Sequence, residues 1–423
     1  MTNEATNLPG PRSPWAGKAV QFADIEQEMS ILWKISADNM RTGQNSGVRT
    51  SVLNLIICAP DIESAERASK LLRALASTHL ARVAVVILDE TIPSASISSW
   101  ITLRCFSMLS DLMRHCFEQI TLITTGSASR SIAHILQPLI KPELPTYLWW
   151  LGDPPAESTI SFKGLVEISN RVIVDSTSFF HPEQDILTLA SFCQETPDCA
   201  ISDMNWGRIT PWRQLIAQFF DVMDYRPYLS GVTSIEIEHA AAPLAMPIRS
   251  AEGDVSPNPS CALLLAAWLK GSLNWSISPR AASATQRDPA TGTYHWILER
   301  ATAANGAHPV GAPRAKTGKL SAQETVTIDI RPQVQSHMRP GSICLVRLMS
   351  NAEGKRATFT IDREGDPDHV LTSVELTQET RPQRTVSLAA AHKESELLRE
   401  ELEILGHDFL FEETLQEVAA LLR

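Results

Sequence analysis

Apolar positions in this chain follow two rhythms. In Ser51–Ala59 (SVLNLIICA) and Arg82–Asp89 (RVAVVILD) they run almost unbroken and β-branched, the signature of strands covered on both faces. Gln119–Thr124, Pro145–Leu151 and Arg171–Asp175 are shorter runs of the same kind, separated by helix-like segments. After Pro60, Asp61 can cap a helix whose Ala68, Leu71, Leu72 and Leu75 keep one face apolar. Upstream, Ile25, Met29, Leu32 and Trp33 predict a helix from Phe22, followed by a turn over Thr42–Gly47. Strand and helix alternating in this way imply a parallel sheet between helices.

The second half reads differently. Thr210 is a suitable N-cap and Pro211 a suitable first helical residue, with Trp212, Leu215, Ile216, Phe219 and Phe220 forming one stripe. Thr233–Glu238 alternates as a half-exposed strand, and Ala262–Leu269, apolar all round, predicts a buried helix. Thr325–Ile330, Ile343–Leu348 and Ala357–Ile361 are strand candidates. Leu397, Leu398, Leu402 and Leu405 then line a helix that Gly406 ends, and Asp408 can cap a last one carrying Phe411, Leu415, Val418 and Leu422. The fold class is therefore α/β: an N-terminal three-layer domain with a parallel sheet over 21–205, followed by a smaller α+β C-terminal domain over 206–423. Residues 1–20 form a flexible tail, and the Ala-, Gly- and Pro-rich region within 276–322 a loop-like insertion.

Composition narrows the function. The 423 residues carry 37 Lys and Arg against 48 Asp and Glu, a net charge of −11, which argues against nucleic acid or an anionic membrane as partner. No apolar run approaches the ~18 residues that span a bilayer, and the N-terminus lacks the apolar core of a signal peptide. Seven cysteines with no zinc-finger spacing point to a reducing cytoplasm, with no metal and no cofactor.

The chemistry-bearing motifs are few. GxGxxG, GxxxxGK[ST], GxSxG and HExxH are all missing. Gly126, Ser127, Ser129 and Arg130 follow a strand and could cradle a phosphate at a helix start, or simply form a strand-to-helix turn. His79 and Arg82 bracket a strand and read as capping or surface residues. Trp149 and Trp150 point to opposite sides of their strand, so one faces away from a shared core. With Asp153, Asn205, Trp206, Arg208 and Arg213 they are either partner anchors or domain-packing residues. Cys193 and Cys199 flank a Pro-Asp turn and could approach to the ~4.4–6.8 Å between α-carbons that a disulfide needs, or remain inert thiols. Cys105 and Cys116, placed on one helix, would lie about 16 Å apart and could not bond.

Several separated segments resemble, in order, the OpcA family of glucose-6-phosphate dehydrogenase assembly proteins. They are RTSVLNLIICAP (Arg49–Pro60), His79–Arg82, LPTYLWWLGDPP (Leu144–Pro155), SDMNWGRITPWRQLIAQFFD (Ser202–Asp221) with RPYL (Arg226–Leu229), ALLLAAWLKGSLNW (Ala262–Trp275) and the Asp408–Leu422 helix. The chain departs from the family pattern at Leu80–Ala81, Leu151 and Gly207. The resemblance implies a non-catalytic assembly factor and allosteric activator of glucose-6-phosphate dehydrogenase in the oxidative pentose phosphate pathway. In the cyanobacterial branch it also implies thioredoxin-linked control, which raises the weight of Cys193 and Cys199 as a redox pair. The alternative is a sugar-phosphate enzyme of lactonase or isomerase type using the Gly126–Arg130 loop and His79.

Overall fold

The computed structural model describes residues 17–41, 46–48, 51–75, 81–107, 113–154, 160–241, 258–277, 286–288, 291–300, 325–335, 337–363, 368–377, 379–380, 383–388 and 393–423. Of the tail expected over 1–20, residues 1–16 lie outside the described residues and Lys18–Val20 forms a strand paired with Ser99–Ile101; of the turn expected over Thr42–Gly47, 42–45 lie outside them and Ser46–Val48 is a strand, while His79 and the stretch 301–322 also lie outside. The chain divides into two compact units. One comprises Met1–Val174, Pro197–Ile201 and Leu398–Gly406, and the other Asp175–Thr196, Ser202–Leu397 and His407–Arg423. The division comes at Val174 rather than near residue 205, and the second unit is the larger. Both sheets mix parallel and antiparallel pairs, in an α/β fold.

The first unit is built on strands β1 (Lys18–Val20), β2 (Ser46–Val48), β3 (Leu53–Ala59), β4 (Ala81–Asp89), β5 (Ser96–Ser107), β6 (Met113–Thr125), β7 (Thr146–Trp150), β8 (Arg171–Val174) and β9 (Ala200–Asp203). Their order is β1-β5-β6-β4-β3-β7-β8-β9, and β6, β4, β3, β7 and β8 run parallel. The unbroken apolar runs belong to the centre of the sheet, where β3 is buried at every residue. Helices α1 (Ile25–Arg41), α2 (Ile62–Leu75), α3 (Ser127–Arg130), α4 (Ile132–Leu136) and α5 (Ile160–Glu167) lie between strands. Because the chain winds outward from β3 in both directions, right-handed crossovers put helices on both faces. Asp61 caps α2 as its residue type predicts, its Oδ1 accepting from the Ser64 N–H at 2.7 Å.

Two expectations fail here. Ser96–Ser107 is an antiparallel strand outside β6, so Cys105 and Cys116 do not share the one helix on which they could not have bonded. The strand's Ser- and Thr-rich, half-exposed sequence lacks the apolar run that marks the central strands. In that register Cys105 lies directly opposite Cys116, and the two form a disulfide. Arg82 is not a surface residue either. It is buried, donates to Glu118 at 2.9 Å and pairs with Glu26, while the Trp33 Nε1–H donates to the other Glu118 oxygen at 2.7 Å. This ties α1 to the sheet.

The second unit contains α6 (Pro182–Glu195), α7 (Met204–Arg208), α8 (Thr210–Asp221), α9 (Arg226–Ser230), β10 (Val232–Ala241), α10 (Ser260–Ser272), β11 (Trp275–Ile277), β12 (Gln286–Asp288), β13 (Thr293–Arg300), β14 (Thr325–Val334), β15 (Ile343–Ala352), β16 (Lys355–Asp362), β17 (His369–Leu376), β18 (Glu379–Thr380) and β19 (Arg384–Ser387). Helices α11 (Glu394–Glu403) and α12 (Phe409–Leu422) close the chain. The sheet order is β11-β13-β14-β10-β15-β16-β17-β18, with β12 on β13 and β19 on β17. Thr293–Arg300 falls inside the expected insertion yet pairs with β14, because Tyr294, Trp296 and Leu298 turn alternately into the core. Helix α10 is buried at almost every position, as its all-round apolarity requires, beneath a Lys270–Glu417 ion pair to α12. Phe359 of β16 is fully enclosed, with the rings of Phe219, Phe220, Tyr225 and Tyr228 at 5.3, 5.0, 5.6 and 6.1 Å.

His239 takes an inward position on β10 that Ile235 and Ile237 occupy earlier. It is fully buried, and neither ring nitrogen has a hydrogen-bond partner among the described residues. Burial pushes it down to about 4 from an ordinary 6.5. The unfolded chain therefore binds a proton between these values that the folded chain refuses. Its contribution is fully present above pH 6.5 and is lost as pH falls toward 4. His239→Leu, similar in size and apolar, is expected to hold stability at pH 7. Its advantage over the wild type should widen by about 3 kcal/mol on going to pH 4. Urea unfolding of both proteins across that range checks this; parallel pH profiles would contradict it.

Candidate functional site

A buried polar cluster in the second unit gathers around the start of α7. Asp203, the last residue of β9, caps that helix through Oδ1, which accepts from the Asn205 and Ser176 N–H groups at 2.9 Å each. Asn205 turns inward, donating through Nδ2 to the Ser176 hydroxyl at 2.9 Å and accepting at Oδ1 from the Cys261 thiol at 2.7 Å. One turn later Arg208 grips Asp175 with two parallel bonds of 2.6 and 2.7 Å. Asn258 donates to the Ser176 carbonyl at 2.8 Å, and Arg339 to the Thr177 hydroxyl at 2.9 Å. The cluster fixes where β9, α7, α10 and the 175–178 turn meet.

Its electrostatics follow from enclosure. Burial alone would raise Asp175, but the Arg208 charge and its hydrogen bonds outweigh it and hold the carboxyl below its usual range. Asp203 is pushed up to about 6, chiefly by burial and then by the Asp175 charge. Burial lifts the Cys261 thiol to about 12, so it is no nucleophile at neutral pH. Asp203 has the proton affinity of a general acid or base, yet it is 2% exposed and one oxygen is committed to two backbone donors. The arrangement suits support rather than turnover.

Each sequence candidate now has a place. Trp149 is fully buried on β7 between Ile57 and Ile173. Trp150 is half-buried, edge-on to Phe162 at 4.9 Å, its Nε1–H donating to the Asp153 carbonyl at 2.8 Å; Asp153 itself is exposed. In the second unit Asn205, Trp206 and Arg208 are buried. Arg213 stacks over the Trp206 ring at 3.5 Å, and that indole donates to Asp408 at 3.0 Å. Burial, opposed by the Asp408 charge, brings Arg213 down to about 10. Only Trp150, Asp153 and Arg213 among the seven offer exposed or half-exposed atoms. Thr210 does not cap α8; its hydroxyl donates to the Trp206 carbonyl, because Asp203 already caps the short helix before it.

The Gly126 loop is not a phosphate cradle in this conformation. Gly126, at φ +57°, is enclosed by the carbonyl oxygens of Ile92, Pro93 and Ser94, which lie 2.8–3.0 Å from where a Cβ would stand. Those oxygens repel an anion. Ser129 is buried, its hydroxyl against Thr124 and the Asp89 carbonyl, leaving Ser127 and Arg130 exposed. Cys193 and Cys199 are free thiols, raised chiefly by burial to about 11 and about 12. No group of three His, Cys, Asp or Glu side chains among the described residues has metal-binding geometry, and no described helix is long and apolar enough to cross a membrane.

Sequence reasoning missed Asp175, Ser176, Asn258 and Cys261, which complete the cluster. A signal existed in Asp175–Ser–Thr–Ser, where Asp175 Oδ1 accepts from the Thr177 N–H and hydroxyl in a local turn. The first unit holds a related surprise. Counting only β3, β4, β6, β7, β8 and β9, the strand order is that of a doubly wound dinucleotide-binding sheet, whose ligand crevice lies beyond the ends of β3 and β7. Here Pro60 and Gly152 (φ +91°) meet in that region, and the Asp61 carboxylate occupies the helix N-terminus where a pyrophosphate would need to lie.

Two family profiles match the chain, and they divide between residues 191 and 199 rather than at Val174. The profile described as the glucose-6-phosphate dehydrogenase subunit N-terminal domain (OpcA) matches residues 72–191, and that of the C-terminal domain matches 199–415. The OxPP cycle protein OpcA of Synechocystis sp. is 34% identical over 161 residues, covering 38% of this chain and 30% of the relative. Its counterpart from Nostoc punctiforme is 32% identical over 160 residues, again 38% and 30%. The matched part thus spans about a third of these relatives' own length. An oxidoreductase from Bacillus cereus shares 7% identity over 87% of this chain and 96% of its own, with a TM-score of 0.41, a likeness too slight to carry an argument.

Proposed function

The chain belongs to the OpcA family of glucose-6-phosphate dehydrogenase subunits, and we propose from that premise that it is a non-catalytic assembly factor and allosteric activator of glucose-6-phosphate dehydrogenase. The two family domains in sequence carry the reading. The sealed α7 cluster and the carboxylate-capped α2 support it from the side of chemistry, since neither presents a reacting group to a substrate. The energetic demand is modest. A tenfold change in the enzyme's apparent substrate affinity needs about 1.4 kcal/mol of differential binding to its two forms. An interface of about 1,600 Å² can supply that readily.

Contacts through Trp150, Asp153 and Arg213 fit this role, with Trp149, Asn205, Trp206 and Arg208 holding the backbone behind them. Thioredoxin-linked control through Cys193 and Cys199 belongs to the same proposal. It requires these thiols to become more exposed than they are here, since thiols this far above neutral pH exchange slowly. Sedimentation of the dehydrogenase with and without this protein tests assembly. A shift to a larger species containing both chains is expected; an unchanged dehydrogenase profile at micromolar concentrations contradicts it.

A further inference from the structure

Cys105 and Cys116 are the one bonded pair among the seven cysteines; Cys58, Cys193, Cys199, Cys261 and Cys344 are free thiols. The pair stands face to face across β5 and β6, 4.0 Å apart at Cα, in unequal surroundings. Cys105 is exposed, whereas Cys116 is only 1% exposed. A thiolate from solution can reach the open sulfur and not the enclosed one, so exchange at this bond has a single point of entry.

What the bond holds follows from the strand register. β4 pairs with β6 only from Glu118 onward. Before that point, residues 113–115 of β6 run against β5 on one side and the three residues of β2 on the other. The β5 ladder itself stops two pairs past the bond, at Ser107 and Arg114. The end of α1 reaches the same place: the Ser36 hydroxyl lies 4.0 Å from the Cys105 sulfur, one turn beyond the Trp33 bond to Glu118. A sheet end held by such short ladders opens readily unless something pins it. We propose that Cys105–Cys116 is a reducible clasp, opened by a dithiol through Cys105, whose opening releases β2, residues 105–107 and 113–116, and the last turn of α1. The first thiolate of the reductant bonds to the Cys105 sulfur as the disulfide breaks, and the Cys116 sulfur leaves with the electron pair and takes up a proton. The second thiolate then displaces Cys105, whose sulfur takes up the other proton, and the reductant ends as its own disulfide. The inference stands apart from the dehydrogenase reading.

Thiol labelling and hydrogen exchange of the full chain, without denaturant, before and after millimolar dithiothreitol, test it. In the chain as isolated, a maleimide should label neither partner. After the dithiol, Cys105 should label, and amides at 46–48, 105–107 and 113–116 should exchange about tenfold or more faster. Amides of β3, at the centre of the sheet, should keep their rates and serve as the reference. The double variant Cys105→Ser with Cys116→Ala should show the reduced pattern with or without dithiol; should it fail to fold, the reduced wild type decides. Labelling of Cys105 before any reductant is added overturns the proposal. So does a bond that opens only in urea, or one that opens while those amides keep their rates.

Discussion

Replacing Arg208 by alanine is expected to destabilise the second unit by about 3–5 kcal/mol, because it leaves the Asp175 carboxylate buried without its counter-charge. Both side chains lie within the enclosed cluster, and Asp175 holds its charge only through the guanidinium and local hydrogen bonds. The same change adds acid sensitivity of the opposite kind to that of the wild type. With Arg208 present, Asp175 titrates below 3.8 when folded, so its contribution stands above that value and is lost as pH falls beneath it. Without Arg208, burial dominates, the carboxyl rises, and acidification relieves part of the damage. Replacing the pair together with apolar residues of similar volume should recover much of the loss, since no lone charge then remains. Urea unfolding of the single and double variants measures this. A loss below about 1 kcal/mol for Arg208→Ala would show that the pair is not the support described.

The adjacent tryptophans give the second large effect. Trp149→Ala removes a fully buried indole from the centre of β7 and is expected to cost about 3–5 kcal/mol. Trp150→Ala removes a half-buried ring whose contacts are an edge-on Phe162 and the Asp153 carbonyl, and should cost far less. Dehydrogenase binding should rank the other way once folding is controlled. Trp150→Ala is expected to weaken it directly, whereas Trp149→Ala should bind normally at temperatures where it remains folded. Thermal unfolding paired with binding titration at low temperature separates them. Equal stability losses, or a binding defect confined to folded Trp149→Ala, would reverse the assignment.

What could be read in advance divides along a physical line. Elements whose burial is uniform or whose caps are local were legible: β3, β4, the all-apolar α10, and the Asp61 and Asp408 caps, the latter accepting from the Phe411 N–H at 3.0 Å. Elements defined by what lies across from them were not. Ser96–Ser107 is a strand because β6 and β1 pair with it, and Cys105 meets Cys116 through that register alone. Thr293–Arg300 carries a sound alternating pattern, but the low-complexity run after it obscured the pattern. The α7 motif drew notice through its aromatic and basic residues, yet its partner Asp175 lies 33 residues upstream, a separation over which spacing carries no information. Unit boundaries were hidden for a similar reason, as the chain returns to the first unit at 197–201 and 398–406.

On the proposed function, this protein changes another catalyst rather than a substrate. Steady-state kinetics of the dehydrogenase over a range of glucose 6-phosphate, with this protein added to saturation, address that most directly. A KM lowered several-fold, with no consumption of sugar phosphate by this protein alone, is the predicted result. Kinetics identical with and without it, or turnover of a sugar phosphate by the isolated chain, would contradict the account.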